Sequence, residues 1–169
     1  IKWPNDLMIE RAGPPAGGRR KVGGILAEAR TIGDRIADVV IGLGVNVSQA
    51  EGDFPPELAA RATSLSISAG APVERRAVAT SIVEQVARWY TIWRTQGPQP
   101  VLMAYRRLAP DLCGRRVTVS HSEPGIGGMA GTTAGITDDG ALRIVDDKAS
   151  VGRSRLIRYV DLRRVEEEA

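Results

Sequence analysis

Residues 22–47 have the sequence VGGILAEARTIGDRIADVVIGLGVNV, and this stretch decides the fold of the first part of the chain. The apolar run at 22–29 predicts a strand, and the Gly-Asp-Arg-Ile that comes shortly after it predicts a hairpin-like turn. The run at 37–47 is rich in Val and Ile and predicts a second strand, buried on both of its faces. Gly42 and Gly44 interrupt this run, so we expect either a bulge or a ligand that lies against the strand.

The rest of the chain divides into a helical stretch and a β-rich tail. Apolar residues about four apart predict an amphipathic helix that ends before Gly97-Pro98: Val78, Ile82, Val86, Tyr90 and Trp93. We expect the aromatic side chains of this helix, including Trp89, to pack in the core, and a partner-binding face is the alternative. Beyond residue 110, short β-rich runs alternate with Gly and Asp-Asp-Gly turns, a pattern typical of a small barrel. The sequence therefore predicts an α/β part over 1–110 and an all-β part over 111–169.

Composition excludes several classes of protein. The 169 residues are 43% hydrophobic and carry a formal net charge of +3, which is too weak an excess to indicate nucleic-acid binding. Cys113 and His121 are the single Cys and His, so an internal disulfide and a Cys/His zinc site are excluded, and a reducing, cytoplasmic location is expected. We expect Cys113 to be a small buried side chain. No apolar run approaches the roughly 20 residues of a membrane helix.

Four polar residues are candidates for chemistry, and each has a structural alternative. Asn5 and Asp6 follow a proline at a strand break, where they could face a ligand or form an Asx turn. Lys21 lies between a basic loop and an apolar strand, where it could bind a phosphate or carboxylate or could simply be solvated. Asn46 ends the second apolar run and needs hydrogen-bond partners, which either a ligand or the protein could supply.

Four stretches in this order resemble the biotin protein ligase family, the biotin–[acetyl-CoA-carboxylase] ligases. They are KWPND at 2–6, KVGGILAE at 21–28, IGLGVNV at 41–47 and ATSL at 62–65. The resemblance implies an α+β fold. A partial mixed-sheet catalytic domain of the biotin/lipoate ligase type would occupy 1–110, and a small SH3-like β-barrel would occupy 111–169.

The resemblance implies activation of biotin by ATP and Mg²⁺ to biotinyl-5′-AMP, then transfer to a lysine of the biotin carboxyl carrier domain of a carboxylase. Lys21 would be the active-site lysine, next to biotin, and would stabilise charge at the α-phosphate. Asp6 would interact with the acceptor lysine or with a metal ion, although we expect no metal site formed by the protein. Gly24 and Gly44 would let the ring of biotin lie on the sheet. Nucleotide contacts are expected from Lys2, Asn5, Asn46 and Arg163.

One family feature has no match in the sequence. The Gly/Arg-rich loop of the G-R-G-R type precedes KWPND in the family and covers biotin, whereas Arg19-Arg20 follow KWPND and are not flanked by glycines in the G-R-G-R pattern. The chain therefore resembles the C-terminal portion of a ligase, and we expect it to be inactive alone. Two alternatives remain: an acyl ligase of the lipoate type, and a non-catalytic remnant that acts as a binding module.

The expected partners follow from the same resemblance. They are biotin, ATP and the carrier domain, and a homodimer formed through a sheet edge is an open alternative. No helix-turn-helix is visible, so we expect this chain to bind no nucleic acid, and we expect no membrane association.

Overall fold

The structure is a computed structural model that describes residues 1–10, 18–121, 129–147, 154–157 and 162–167. Of residues 120, 121 and 162–167 only the backbone is described, so the side chain of His121 lies outside this part. The chain divides into two compact units, Ile1–Arg88 and Trp89–Ala169. The domain boundary near residue 110 stays a prediction. None of the helices in the described part is long and apolar enough to cross a membrane.

The first unit contains a three-stranded antiparallel sheet in the order β1-β2-β3. Its strands are β1 (Asp6–Glu10), β2 (Arg19–Ile32) and β3 (Arg35–Val45). The predicted hairpin is confirmed, and β2 begins three residues earlier than the apolar run at 22–29 indicated. The named strands of this sheet pair antiparallel, and one isolated parallel bridge joins Lys21 to Ala62.

The expectation that the strand at 37–47 is buried on both faces is wrong. In β3 the consecutive residues Val39 and Val40, which point to opposite faces, are 49% and 63% exposed. The strand order places β3 at the edge of the sheet, with β2 as its neighbour. Hydropathy reports that a strand has apolar side chains on both faces, but it does not report what covers them.

Four α-helices follow: α1 (Pro56–Ala59), α2 (Leu65–Ala69), α3 (Arg75–Gln96) and α4 (Gln99–Leu108). The long helix and its end before Gly97 are confirmed. The expectation that its aromatic side chains pack in the core is wrong, because Trp89, Tyr90 and Trp93 are 36%, 56% and 49% exposed. The rings of Tyr90 and Trp93 instead lie against each other, with centroids 5.8 Å apart.

The second unit contains a five-stranded antiparallel sheet in the order β7-β6-β5-β4-β8. Its strands are β4 (Cys113–His121), β5 (Met129–Ile136), β6 (Leu142–Asp146), β7 (Ser154–Ile157) and β8 (Leu162–Glu167). β6 alternates strictly between buried and exposed side chains, and Val119 and Ile144 have no exposed surface. This β-rich region matches the prediction. Among the described residues β7 and β8 stand at the two ends of the sheet, so a closed SH3-like barrel stays a prediction.

Two details show how tightly this second sheet is packed. A Cβ on Gly131 would fall well inside van der Waals contact with the carbonyl oxygen of Val145, so only glycine fits there. Arg106 of α4 donates to the carbonyl oxygen of Ile136 and to the carboxylate of Asp138, each at 3.2 Å, which ties the helix to the end of β5.

Cys113 is exposed, which corrects the expectation that it is buried.

Candidate functional site

A one-residue bulge in β2 sets the face on which the Lys21 side chain lies. Met8 lies opposite Lys21, whereas the preceding residue of β1 lies opposite Gly23, so Val22 is an extra residue in β2. On a regular strand, side chains three positions apart point to opposite faces. The extra residue shifts Lys21 by one position in this alternation, so the Lys21 side chain lies on the same face as Gly24.

An ion pair between Lys21 and Asp6 lies on this face. The Nζ atom of Lys21 is 2.5 Å from Oδ1 of Asp6, which is the residue of β1 opposite Gly24. The two side chains are 49% and 31% exposed, so solvent or a ligand can reach the ammonium group. The carboxylate holds the lysine across the sheet, with Nζ 3.6 Å from the position that a Cβ on Gly24 would take.

A bare patch of backbone lies next to this ion pair. Gly24 and Gly44 are opposite each other on β2 and β3, and a Cβ on Gly44 would meet no atom within 4 Å. The neighbouring Gly23 is required for a different reason, because a Cβ there would collide with the carbonyl oxygen of Gly44. Gly44 therefore leaves room for a flat ligand, and the Lys21 side chain, which lies over Gly24, places its ammonium group beside that space.

The turn before β1 is fixed by backbone and side-chain hydrogen bonds. The backbone groups of Lys2 and Asp6 exchange two hydrogen bonds of 2.9 and 3.0 Å. The side-chain amide of Asn5 donates to the carbonyl oxygen of Ile25 at 2.6 Å, and the amide of Ile25 donates back to the carbonyl oxygen of Asn5 at 3.0 Å. Asn5 thus joins the turn to β2, and its contact with nucleotide stays a prediction.

Asn46 lies immediately after β3, at the same end of the sheet as Lys21. Its backbone amide donates to the carbonyl oxygen of Val22 at 2.8 Å, and its side-chain amide donates to that of Thr63 at 3.1 Å. The partners that the sequence required for this polar side chain therefore include the protein itself. Its predicted contact with nucleotide is not tested by this geometry.

Residues 61–63 form backbone hydrogen bonds with Lys21, a pairing that the sequence did not indicate. The amide of Lys21 donates to the carbonyl oxygen of Arg61 at 2.7 Å, and the amide of Thr63 donates to the carbonyl oxygen of Lys21 at 2.9 Å. The ATSL stretch at 62–65 was recognisable in the sequence, but nothing in its residue types indicates a backbone pairing with Lys21.

The structure brings four of the eight predicted site residues together. Asp6, Lys21, Gly24 and Gly44 share one face of the first sheet. Arg163 lies in β8 of the second unit, and its side chain lies outside the described residues, so its nucleotide contact stays a prediction. Within the part of the chain that the structure describes, no group of three His, Cys, Asp or Glu side chains is placed to hold a metal ion.

Comparison with known proteins supports the resemblance that the motifs predict. A family model described as the Biotin/lipoate A/B protein ligase family matches residues 1–46. The chain is 35% identical over 142 residues to the bifunctional ligase/repressor BirA of Bacillus subtilis, covering 84% of this chain and 40% of that protein. It is 34% identical over 142 residues to the biotin--[acetyl-CoA-carboxylase] ligase of Mycobacterium tuberculosis, covering 84% of this chain and 46% of the relative.

Solved structures show the same fold. The apo structure of biotin protein ligase from Aquifex aeolicus superimposes with a TM-score of 0.77 at 20% identity, covering 99% of this chain and 65% of that one. The complex of the same ligase with biotin and ATP gives a TM-score of 0.73 at 21% identity, covering 99% and 62%. The fold is thus that of these ligases over a part of their length, and the chain spans about two fifths of its Bacillus relative.

Proposed function

From the premise that this chain is a relative of biotin protein ligases, we propose that it is part of an enzyme that activates biotin with ATP. The product is biotinyl-5′-AMP, and the biotinyl group then passes to a lysine of the biotin carboxyl carrier domain of a carboxylase. The observation that carries the proposal is the position of the Lys21 ammonium group, held by Asp6 beside the bare patch at Gly24 and Gly44.

In this mechanism the first step is electrostatic. The carboxylate of biotin attacks the α-phosphorus of ATP, and pyrophosphate leaves. Lys21 lies beside the reacting groups and stabilises the negative charge that builds at the α-phosphate, a role in which a positioned cation is effective. Gly24 and Gly44 allow the ring of biotin to lie close to the backbone, so that its carboxylate reaches the ammonium group.

In the second step the amine of the acceptor lysine attacks the acyl carbon of biotinyl-5′-AMP, an amide bond forms, and AMP leaves. We propose that Asp6 accepts the proton that the amine loses, a role supported by its partly exposed carboxylate on the same face as Lys21. Mg²⁺ would arrive bound through the phosphates of ATP, as is usual for this ion. The side chains of Lys2, Asn5 and Arg163 are proposed to contact the nucleotide, and for Asn46 this contact is the alternative to a role in positioning Lys21.

The experiment is biotin-dependent exchange of pyrophosphate into ATP, measured on the complete reading frame that contains residues 1–169. Lys21→Ala is expected to lower the exchange rate by about 10²- to 10³-fold, the usual cost of removing a group that stabilises charge in the transition state. Arg20→Ala is the matched control, because it removes a positive charge one residue away on the strand. A Lys21→Ala enzyme with the parent rate would refute the role of Lys21.

The acyl specificity is tested separately, because the family that matches residues 1–46 is described as including lipoate ligases. The same exchange assay with biotin, lipoate and octanoate in competition decides between them, and we expect biotin to be preferred. A preference for lipoate or octanoate would replace the biotin proposal with the lipoate alternative. The absence of exchange with all three acids would favour a non-catalytic binding module.

Several finer proposals accompany this function. We expect residues 1–169 alone to give no exchange, since no stretch of the chain matches the Gly/Arg-rich loop that covers biotin in the family. A closed SH3-like barrel over 111–169, a cytoplasmic location and a homodimer are also proposals, which the resemblance supports.

A further inference from the structure

We propose that Asn46 is a positioning residue whose side-chain amide closes a ring of hydrogen bonds around the backbone of Lys21. The ring begins at the carbonyl oxygen of Lys21, which accepts from the amide of Thr63 at 2.9 Å. The carbonyl oxygen of Thr63 accepts from Nδ2 of Asn46 at 3.1 Å. The backbone amide of Asn46 donates to the carbonyl oxygen of Val22 at 2.8 Å, and Val22 is bonded to Lys21.

The ring matters because it encloses the bulge of β2. Val22 is the extra residue there, and regular pairing with β1 is interrupted at this point. The backbone amide of Asn46 therefore fixes the carbonyl group of Val22, at the irregular position that decides which face Lys21 occupies. The side-chain amide of Asn46 fixes the carbonyl group of Thr63, which pairs with Lys21. Val22 and Thr63 are only 5% and 3% exposed, so water has little access to replace a lost bond in this region.

Further hydrogen bonds hold the residues that follow Thr63 in place. Ser64 is fully buried, and its hydroxyl donates to the carbonyl oxygen of Gln49 at 2.7 Å while it accepts from the amide of Ile67 at 3.1 Å. The amide of Leu65 donates to the carbonyl oxygen of Asn46 at 2.9 Å. The segment after β3 and the start of α2 are therefore held together, and the Asn46 side chain connects them to Thr63.

The consequence for catalysis rests on the proposed function of Lys21. The Lys21 side chain is half exposed, so its place depends on Asp6 at its tip and on the backbone at its base. When the ring opens, the base of the lysine is less well fixed, and a displacement of about 1 Å in a catalytic group costs about 10²-fold in rate. The loss falls on the chemical step. A residue that only contacts ATP would instead change the binding of ATP.

The first test does not depend on any activity. Hydrogen exchange of backbone amides is measured on residues 1–169 carrying Asn46→Asp, which keeps the shape but cannot donate to Thr63, and Asn46→Ala. We expect the amides of Lys21 and Thr63 to exchange at least about tenfold faster, and the amide of Val119 in the second unit to be unchanged. Ser48→Ala, an exposed change two residues away, is the control and should alter none of these amides.

Unchanged exchange at Lys21 and Thr63 in both Asn46 variants would overturn the ring as a positioning device. Faster exchange that extends equally to Val119 would also overturn it, because it would indicate general destabilisation rather than local opening.

The second test is kinetic and uses the complete reading frame. Both Asn46 variants are expected to lower kcat for biotin-dependent exchange by at least about tenfold, with the KM for ATP within about threefold of the parent. In the Lys21→Ala background, Asn46→Ala should cause no further loss, because it acts through Lys21. A raised KM for ATP with an unchanged kcat would make Asn46 a nucleotide contact and refute the positioning role.

The two tests separate the two proposals. If the parent protein shows no exchange activity, the proposed function fails, while the amide exchange of residues 1–169 still decides whether the ring exists. If the parent is active and the amide exchange is unchanged, the ring fails and the proposed function stands.

Discussion

The two sheets of this protein are built from similar apolar residues but bury them to opposite extents. In the first unit Val39 and Ile41 of β3 are 49% and 60% exposed. In the second unit Val119 of β4 and Ile144 of β6 have no exposed surface. Both sheets are antiparallel, so the difference does not arise from strand direction.

The two sheets also differ in how their apolar side chains are distributed between the two faces. In β6 the pattern of buried and exposed residues alternates, and one face contributes to a core while the other is solvated. In β3 the run Val39-Val40-Ile41 places apolar groups on both faces, and both remain open to solvent. The second sheet thus contributes to the core, whereas the first presents its glycines and its lysine on an open surface.

The largest effect that distinguishes the two sheets should come from truncating isoleucine. Ile144→Ala removes fully buried methyl groups and is expected to lower the free energy of unfolding by about 2–5 kcal/mol. The same change at Ile41, which is 60% exposed, should cost less than about 0.5 kcal/mol. Urea denaturation followed by amide resonances of each sheet measures both values. Equal losses at the two positions would remove the contrast between the sheets.

A smaller effect is expected from adding a methyl group to glycine. Gly131→Ala forces a Cβ onto the carbonyl group of Val145 and should cost about 1–3 kcal/mol. Gly44→Ala meets open space in the first sheet and should change stability by no more than about 0.5 kcal/mol. Urea denaturation of the two variants checks this. If Gly44→Ala cost as much as Gly131→Ala, the patch beside Lys21 would not be open.

The smallest effect is a pH dependence that belongs to the second unit. Burial raises the pKa of Tyr105 from 10.0 to about 12, so the folded state favours the protonated phenol. This contribution to stability is complete below the unfolded pKa, near pH 10, and is lost as the pH rises toward 12. The tyrosines of the chain are Tyr90, Tyr105 and Tyr159, and none lies in Ile1–Arg88.

Tyr105→Phe should therefore flatten the decline in stability between about pH 10 and pH 12, as measured by denaturation at several pH values. Tyr90→Phe is the matched control, because Tyr90 is 56% exposed. Parallel declines in the Tyr105→Phe variant and in its parent would show that the buried phenol does not contribute.

Local features of the fold were predictable because they depend on neighbouring residues. The hairpin of β2 and β3 follows from two apolar runs around Gly33-Asp34, and the end of α3 follows from Gly97-Pro98. The β-rich character of the second unit follows from short strands and Gly turns. Burial was predicted less well, because the exposure of β3 and of Trp93 depends on what packs against them, which no local pattern contains.

The sequence indicated which residues could form the candidate site, but it did not indicate their geometry. The motifs identified Asp6, Lys21, Gly24 and Gly44, and the structure brings these four to one face of the first sheet. The sequence did not indicate the ion pair between Lys21 and Asp6, since residues 15 positions apart meet only through the pairing of β1 and β2. The hydrogen bond from Asn46 to Thr63 was not predictable either, because these residues are 17 positions apart in the sequence.

The bulge at Val22 makes the chemistry of the first sheet depend on residue count. Because one extra residue places Lys21 and Gly24 on the same face, a strand with identical residue types but one residue fewer would present its ammonium group to the opposite side, away from Asp6. When relatives of this chain are aligned, a single gap between Lys21 and Gly24 therefore carries more chemical meaning than a conservative substitution at either position.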